Sequence, residues 1–417
     1  MELDGVRTLV VLGLGRSGRP ATRLARERLP GARVVALDEN AGLAPEVRAE
    51  LAGVGAEVLV GKEAALPAAA DLVVKSPGVP RESRLVEAAV ARGVPVWSEV
   101  EFASRFLSGR LVGITGTNGK TTTTALTGRI LEEAGLRVAI GGNIGLAVAR
   151  LALDAGPGTV VVAELSSFQL EDVDRFRPDV AVLLNLTEDH LDRHHTYAGY
   201  AAAKLRVFEN QTPDDLALLN ADDAGTRAES IPGKGRRGWF STGDGHPGQA
   251  AGVSGGRLWL AVEGKRVGLC RADELSLRGE HNLQNSLAAA AAAAAAGAAP
   301  SSIAETLRTF APVAHRLQVA GVVDGVTYVN DSKATNIDAT LKALTAYFGP
   351  VVLVLGGRGK GSSFDGLAAA CEGRVREVVL IGEAGDPLAA AFPRRAASSP
   401  QAAVPDVSPP HPEAPQT

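Results

Sequence analysis

Short apolar runs alternate along the chain with stretches of helical periodicity. "RTLVVLGLG" (7–15), "ARVVALD" (32–38) and "DLVVKSPGV" (71–79) read as strands, and "RPATRLARERL" and "RLVEAAVARG" as helices. Such alternation predicts a parallel sheet with crossover helices. A second series begins near residue 99 with "LVGITG", "RVAIGGN", "TVVVAELS" and "DVAVLLNLT". A third follows an Ala-rich helical stretch at 286–300 and carries "VTYVNDSKATN", "PVVLVLGG" and "VREVVLIGEAG". The reading is α/β in three tandem domains: Rossmann-like over 1–98, a P-loop ATPase-type parallel sheet over 99–312, and Rossmann-like again over 313–395. Residues 396–417 are rich in Pro and Ala, without periodicity, and read as a disordered tail.

Composition narrows the function classes. With 417 residues, 45% apolar but only 4% aromatic, the cores must be built mainly from Ala, Val and Leu. A net charge of -4 and no basic stripe speak against nucleic acid. The acidic N-terminus does not read as a signal peptide, and the Ala-rich run is too weakly apolar to span a bilayer. Cys270 and Cys371 stand far apart without metal-ligand spacing, so a reducing cytoplasm fits.

Two glycine loops carry candidate chemistry. Gly13, Gly15 and Gly18 follow the first strand in G-x-G-x-x-G spacing, and Asp38 ends the next strand. This pattern suits a diphosphate at a helix N-terminus with an acid for a ribose hydroxyl. A nicotinamide or flavin dinucleotide, a UDP-sugar and a plain strand-to-helix turn all satisfy it.

The second loop, "GITGTNGKTTTT" (113–124), holds Gly116, Gly119, Lys120 and Thr121, with Ile114 where the strict P-loop pattern asks for glycine. Backbone N–H groups there can cradle phosphates, Lys120 can neutralise them and Thr121 can ligate Mg²⁺. The neighbouring strands end in Glu164 and run into Asp189 and His190. Ligands gather at strand carboxyl ends in doubly wound sheets, so these side chains form a candidate metal–phosphate site.

"GTNGKTTTT", "ELSSFQLE", "NLTEDHLDRH", "AAAKLRVFEN", "GEHNLQNSLAA", "HRLQ", "NDSKATN" and "GGRGKG" occur in this order. In these words the chain resembles the Mur ligases, ATP-dependent amide-forming enzymes of peptidoglycan precursor synthesis. "SSFQLE" and "NDSKATN" resemble the branch that adds D-glutamate to UDP-N-acetylmuramoyl-L-alanine through an acyl phosphate. The resemblance implies ATP contacts at Gly116, Thr117, Asn118, Gly119, Lys120, Thr121, Thr122, Asn285, Arg316 and Asp331. It implies two Mg²⁺ sites drawn from Thr121, Glu164, His190 and Lys204, the last carbamylated. Lys120, Glu164, His190 and Lys204 are the implied catalytic set. Arg16, Ser17, Asp38 and Gly78 would hold the uridine diphosphate, and Asn143, Ser166, Gln169 and His190 the remainder of that substrate. Lys333, Thr335 and Lys360 would face D-glutamate. A monomer without membrane insertion is the implied state, and no nicotinamide is needed.

The resemblance weakens beyond "LIGEAG", where the family's closing α/β segment gives way to "AAAFPRRAASSPQAAVPDVSPPHPEAPQT". This predicts an incomplete third domain, arising from a shifted reading frame, a truncation or a native tail. A weakened, binding-only relative is the alternative expectation.

Overall fold

The computed structural model describes residues 2–311, 315, 317–345, 347, 350–357, 364 and 367–392. One compact unit runs to residue 349, and a second begins at Pro350. Within the first unit, five parallel strands lie in the order Glu57–Val60, Arg33–Asp38, Thr8–Leu12, Leu72–Lys75, Val96–Ser98. Thr8–Leu12 is central and buried at every position, as its unbroken apolar run requires of a strand covered on both faces.

A nine-stranded sheet follows in the same unit. Val180–Leu183, Leu111–Thr115 and Val160–Glu164, all parallel, are the sixth to eighth strands, with Val138–Gly142 outside them at the edge. Leu111–Thr115 leads into the helix Lys120–Glu133, which packs with the Ala-rich helix Glu280–Ala295 in one core. The alanine methyls of 288–293 are at most 4% exposed, so small side chains let this helix approach closely. At the far edge Gln249–Ser254, Arg257–Val262 and Lys265–Arg271 form an antiparallel extension. Its two-residue turns, Gly255–Gly256 and Glu263–Gly264, have positive φ at both positions. Such turns match the twist of the strands they join.

"VTYVN", expected in a third parallel unit, instead pairs antiparallel with Gln318–Val323 across an Asp324–Gly325 turn of positive φ. The helix Ile337–Thr345 follows. In the second unit, Val351–Gly356 and Val375–Ile381 pair in parallel, with the short helix Leu367–Cys371 between them in sequence. The C-terminal tail lies outside the described residues. Among those described, no helix is long and apolar enough to cross a membrane.

Candidate active site

The central loop is shaped by two close approaches. A Cβ on Gly116 (φ +148°) would lie 2.9 Å from Leu184 Cβ, and one on Gly119 (φ +84°) 2.3 Å from Asn285 Oδ1. Ile114, which breaks the strict motif, is a fully buried residue of the strand itself; the chain turns only at Gly116. Lys120 opens the helix, and its Nζ donates to the carbonyls of Gly116 (2.9 Å) and Thr117 (2.8 Å). Thr117 Oγ1 donates to Thr187 O and accepts from Tyr200 OH (3.0 Å), tying the loop to the next strand end and to the helix Tyr197–Leu205.

Thr121 Oγ1 donates to Glu164 Oε2 (2.8 Å), and Asn143 Nδ2 to Glu164 Oε1 (2.8 Å). Lys204 is 2% exposed; its Nζ donates to Gly116 O (2.8 Å) and lies 4.7 Å from the Tyr200 ring centre. Burial pushes the Tyr200 phenol well above its ordinary range, so it stays a neutral hydrogen-bond donor. His190 has left-handed backbone (φ 53°), stands edge-on to Phe168 (4.7 Å) and lies 3.7 Å from Asp189 Oδ2. Lys120, Thr121, Glu164, His190 and Lys204 all line one cleft of about 400 Å³. Among the described residues no three His, Cys, Asp or Glu side chains cluster as a self-sufficient metal site. Thr121 and Glu164 nevertheless present converging oxygens, which suits Mg²⁺, an ion held by few protein ligands together with substrate phosphates.

Asn118, Gly119, Thr122, Asn285 and Asp331 line a neighbouring pocket of about 40 Å³. The sequence did not single out Asn185, Phe240, His281 or Lys342, which line it too. Arg316 and Lys360 lie outside the described residues.

Lys333 and Thr335 reach the main cleft beside the central loop. Their segment is anchored by Asn336, whose Nδ2 donates to Asp189 Oδ2 (3.0 Å) and Asn118 Oδ1 (3.2 Å). Asp338 Oδ2 accepts from Asn118 Nδ2 (2.6 Å) and Lys342 Nζ (2.7 Å). Sequence reasoning missed this bridge, although the last Asn of "NDSKATN" carried the signal.

The N-terminal loop lies outside the cleft lining but is joined to it, because Arg16 Nη2 donates to the carbonyl of Asn143 (2.6 Å). A Cβ on Gly18 would meet Gly13 O at 1.8 Å, so helix and turn touch through backbone alone. Asp38 Oδ2 accepts from Leu14 N (2.8 Å) and thereby closes the loop. Ser17 stands at the helix start, and the surroundings of Gly78 are open to a side chain. Ser166 and Asn143 line the cleft, but Gln169 does not: it is 1% exposed, and its Oε1 accepts from Ser166 N and Oγ. Gln169 thus holds Ser166 in place.

The "Mur ligase middle domain" family model matches residues 114–293, and "Mur ligase, glutamate ligase domain" matches 315–408. A UDP-N-acetylmuramoylalanine–D-glutamate ligase of Pelotomaculum thermopropionicum is 44% identical over 399 residues, spanning 92% of this chain and 84% of the relative. The protein of that name from Anaeromyxobacter dehalogenans is 43% identical, with the same coverage of 92% and 84%. Among solved structures, MurF of Acinetobacter baumannii superposes with a TM-score of 0.61 at 19% identity, covering 87% of this chain and 80% of that one. UDP-N-acetylmuramate–alanine ligase MurC of Thermotoga maritima gives 0.54 at 22% identity, covering 92% and 87%. These two likenesses concern the fold.

Proposed function

The chain belongs to the Mur ligase family, and from that membership we infer that it is an ATP-dependent C–N ligase joining D-glutamate to UDP-N-acetylmuramoyl-L-alanine in peptidoglycan synthesis. The observation that carries this is the 44% identity across 92% of the chain to a ligase of that name. The cleft supports it, because a phosphate loop, a Thr–Glu pair and a second lysine face the segment of Lys333 and Thr335.

In this reading the alanyl carboxylate attacks the γ-phosphorus of ATP, ADP leaves, and an acyl phosphate forms. The neutral amine of D-glutamate then adds to the acyl carbon and gives up one proton to solvent, and the tetrahedral intermediate collapses as its C–O bond to phosphate breaks, inorganic phosphate leaving with the bonding electron pair. Lys120 leaves its carbonyl partners to meet the γ-phosphate, and the backbone N–H groups of 116–120 hold the remaining phosphate oxygens. Thr121 and Glu164 would hold Mg²⁺, which supplies charge neutralisation on the phosphates. His190 and Lys204 would hold a second such ion, Lys204 as a carbamate, whose anionic oxygens would suit a hard cation. Ser166, kept in register by Gln169, and Asn143 orient the alanyl end. Lys333 and Thr335 meet the glutamate carboxylates, with Lys360 completing the set. Asn285, Arg316 and Asp331 take the nucleoside, and Arg16, Ser17, Asp38 and Gly78 the uridine diphosphate.

Domains over 1–98, 99–312 and 313–395, a monomeric state and a cytoplasmic location complete the proposal. The test is ADP release with UDP-N-acetylmuramoyl-L-alanine as acceptor and D-glutamate, L-glutamate or L-lysine as the added amino acid. Release that depends on D-glutamate alone is expected; release indifferent to the amino acid overturns the assignment. Absence of nicotinamide fluorescence changes on titration would remove the dinucleotide reading of Gly13–Gly18.

A further inference from the structure

Glu171 and Asp172 stand just past the Ser166–Gln169 turn and draw four cationic side chains from three other segments. Lys75 ends a strand of the five-stranded sheet and is fully buried. Its Nζ donates to Glu171 Oε1 (2.8 Å) and Val79 O (3.2 Å) and sits 2.8 Å from Asp172 Oδ2. Arg81 donates to Asp172 Oδ1 through Nε (2.9 Å) and Nη2 (2.6 Å). Arg193, just beyond His190, pairs with Glu171 Oε1, donates to Val79 O (3.1 Å) and lies over the Phe168 ring at 5.0 Å. Arg206, just beyond Lys204, donates to the carbonyls of Glu171 and Val173 (both 2.5 Å).

Through the two carboxylates this short segment connects the loop carrying Gly78, the turn carrying Ser166 and the loop carrying His190, and through its main-chain carbonyls it also holds the helix carrying Lys204. At its centre is an ammonium shut away from water, which is costly unless every partner stays in place. The arrangement consequently tolerates one relative position of the two sheets and penalises others. We propose that Lys75, clamped by Glu171 and Asp172, is a positioning residue that fixes the spacing between the uridine diphosphate loop and the turn receiving the sugar–alanine end. A ligand spanning two half-sites gains from both only if their separation is set before it arrives; otherwise part of its binding free energy goes into ordering them. The inference rests on the ligase reading for the identity of that ligand.

The test compares UDP, which fills one half-site, with UDP-N-acetylmuramoyl-L-alanine, which spans both. Calorimetric titrations use the wild-type protein, Lys75→Met and the charge-neutral double variant Lys75→Met/Asp172→Leu. The double variant removes the ammonium and one of its two carboxylates, leaving Glu171 paired with Arg193, and so guards against simple unfolding. UDP affinity is expected to stay within about twofold, while the spanning ligand weakens about tenfold and its KM rises in step; the KM for ATP does not move. Equal weakening of both ligands, or an unchanged spanning ligand in the double variant, overturns the proposal. A wild-type protein that binds both ligands yet forms no ADP with D-glutamate and ATP defeats the ligase reading alone, and the affinity ratio still decides the role of Lys75.

Discussion

The two glycine loops start from the same device, a strand that turns on glycine into a helix, and diverge in what surrounds them. In the N-terminal loop the nearby acid, Asp38, braces the loop by accepting from Leu14 N through one carboxylate oxygen. In the central loop the nearby acid, Glu164, points across to Thr121, while Lys120 and Lys204 approach from two helices. The first arrangement braces the loop from within, and the second gathers two lysines and a carboxylate beside the loop. In the proposed reading both glycine loops receive phosphates, and the side chains from neighbouring strand ends decide whether chemistry follows.

The contrast is sharpest if reactive charge is removed from the central loop alone. Lys120→Ala should lower ADP release by roughly 10³-fold or more with UDP-substrate affinity retained, and turnover near that of wild type would end the phosphate assignment. Lys204→Ala should cost roughly 10²–10³-fold and regain activity with added short carboxylic acids, which replace the missing oxygens. A mass spectrum of active protein showing only an unmodified amine at Lys204 would count against the carbamate. In the N-terminal loop, Gly18→Ala forces a methyl against the Gly13 carbonyl. The UDP-substrate should bind about 10²-fold more weakly there, and ATP as before, when both are titrated. Gly119→Ala reverses the pattern with a smaller effect: its φ of +84° strains an alanine, but the methyl meets the side-chain end of Asn285 rather than backbone. About tenfold weaker ATP binding is expected, and an equal loss for both ligands would dissolve the distinction between the loops.

Both loops were legible because glycine, lysine and threonine at fixed spacing are local signals, and Glu164 was legible because it ends a strand. The antiparallel edge is marked in the sequence only by its Gly-Gly and Glu-Gly turns, and the alternation of strand and helix around it dominates the pattern. "VTYVN" has the composition of a strand, but nothing in five residues distinguishes a parallel partner from an antiparallel one. Gln169, expected at the sugar, is buried and caps Ser166, a local role that a glutamine in the sequence does not announce. Lys75 and Glu171 stand 96 residues apart, and a pair at that separation leaves no periodic trace in the chain.

Lys120 and Lys204 both rest on the carbonyl oxygen of Gly116. Two like charges sharing one acceptor make that peptide a balance point: an arriving anion draws one ammonium away and leaves the carbonyl to the other. Conversion of Lys204 to a carbamate would invert its sign, turning an attractive contact with Gly116 into a repulsive one. The peptide orientation at Gly116 would then report the modification state of Lys204, and its amide shift under carbon dioxide would follow that state without any substrate present.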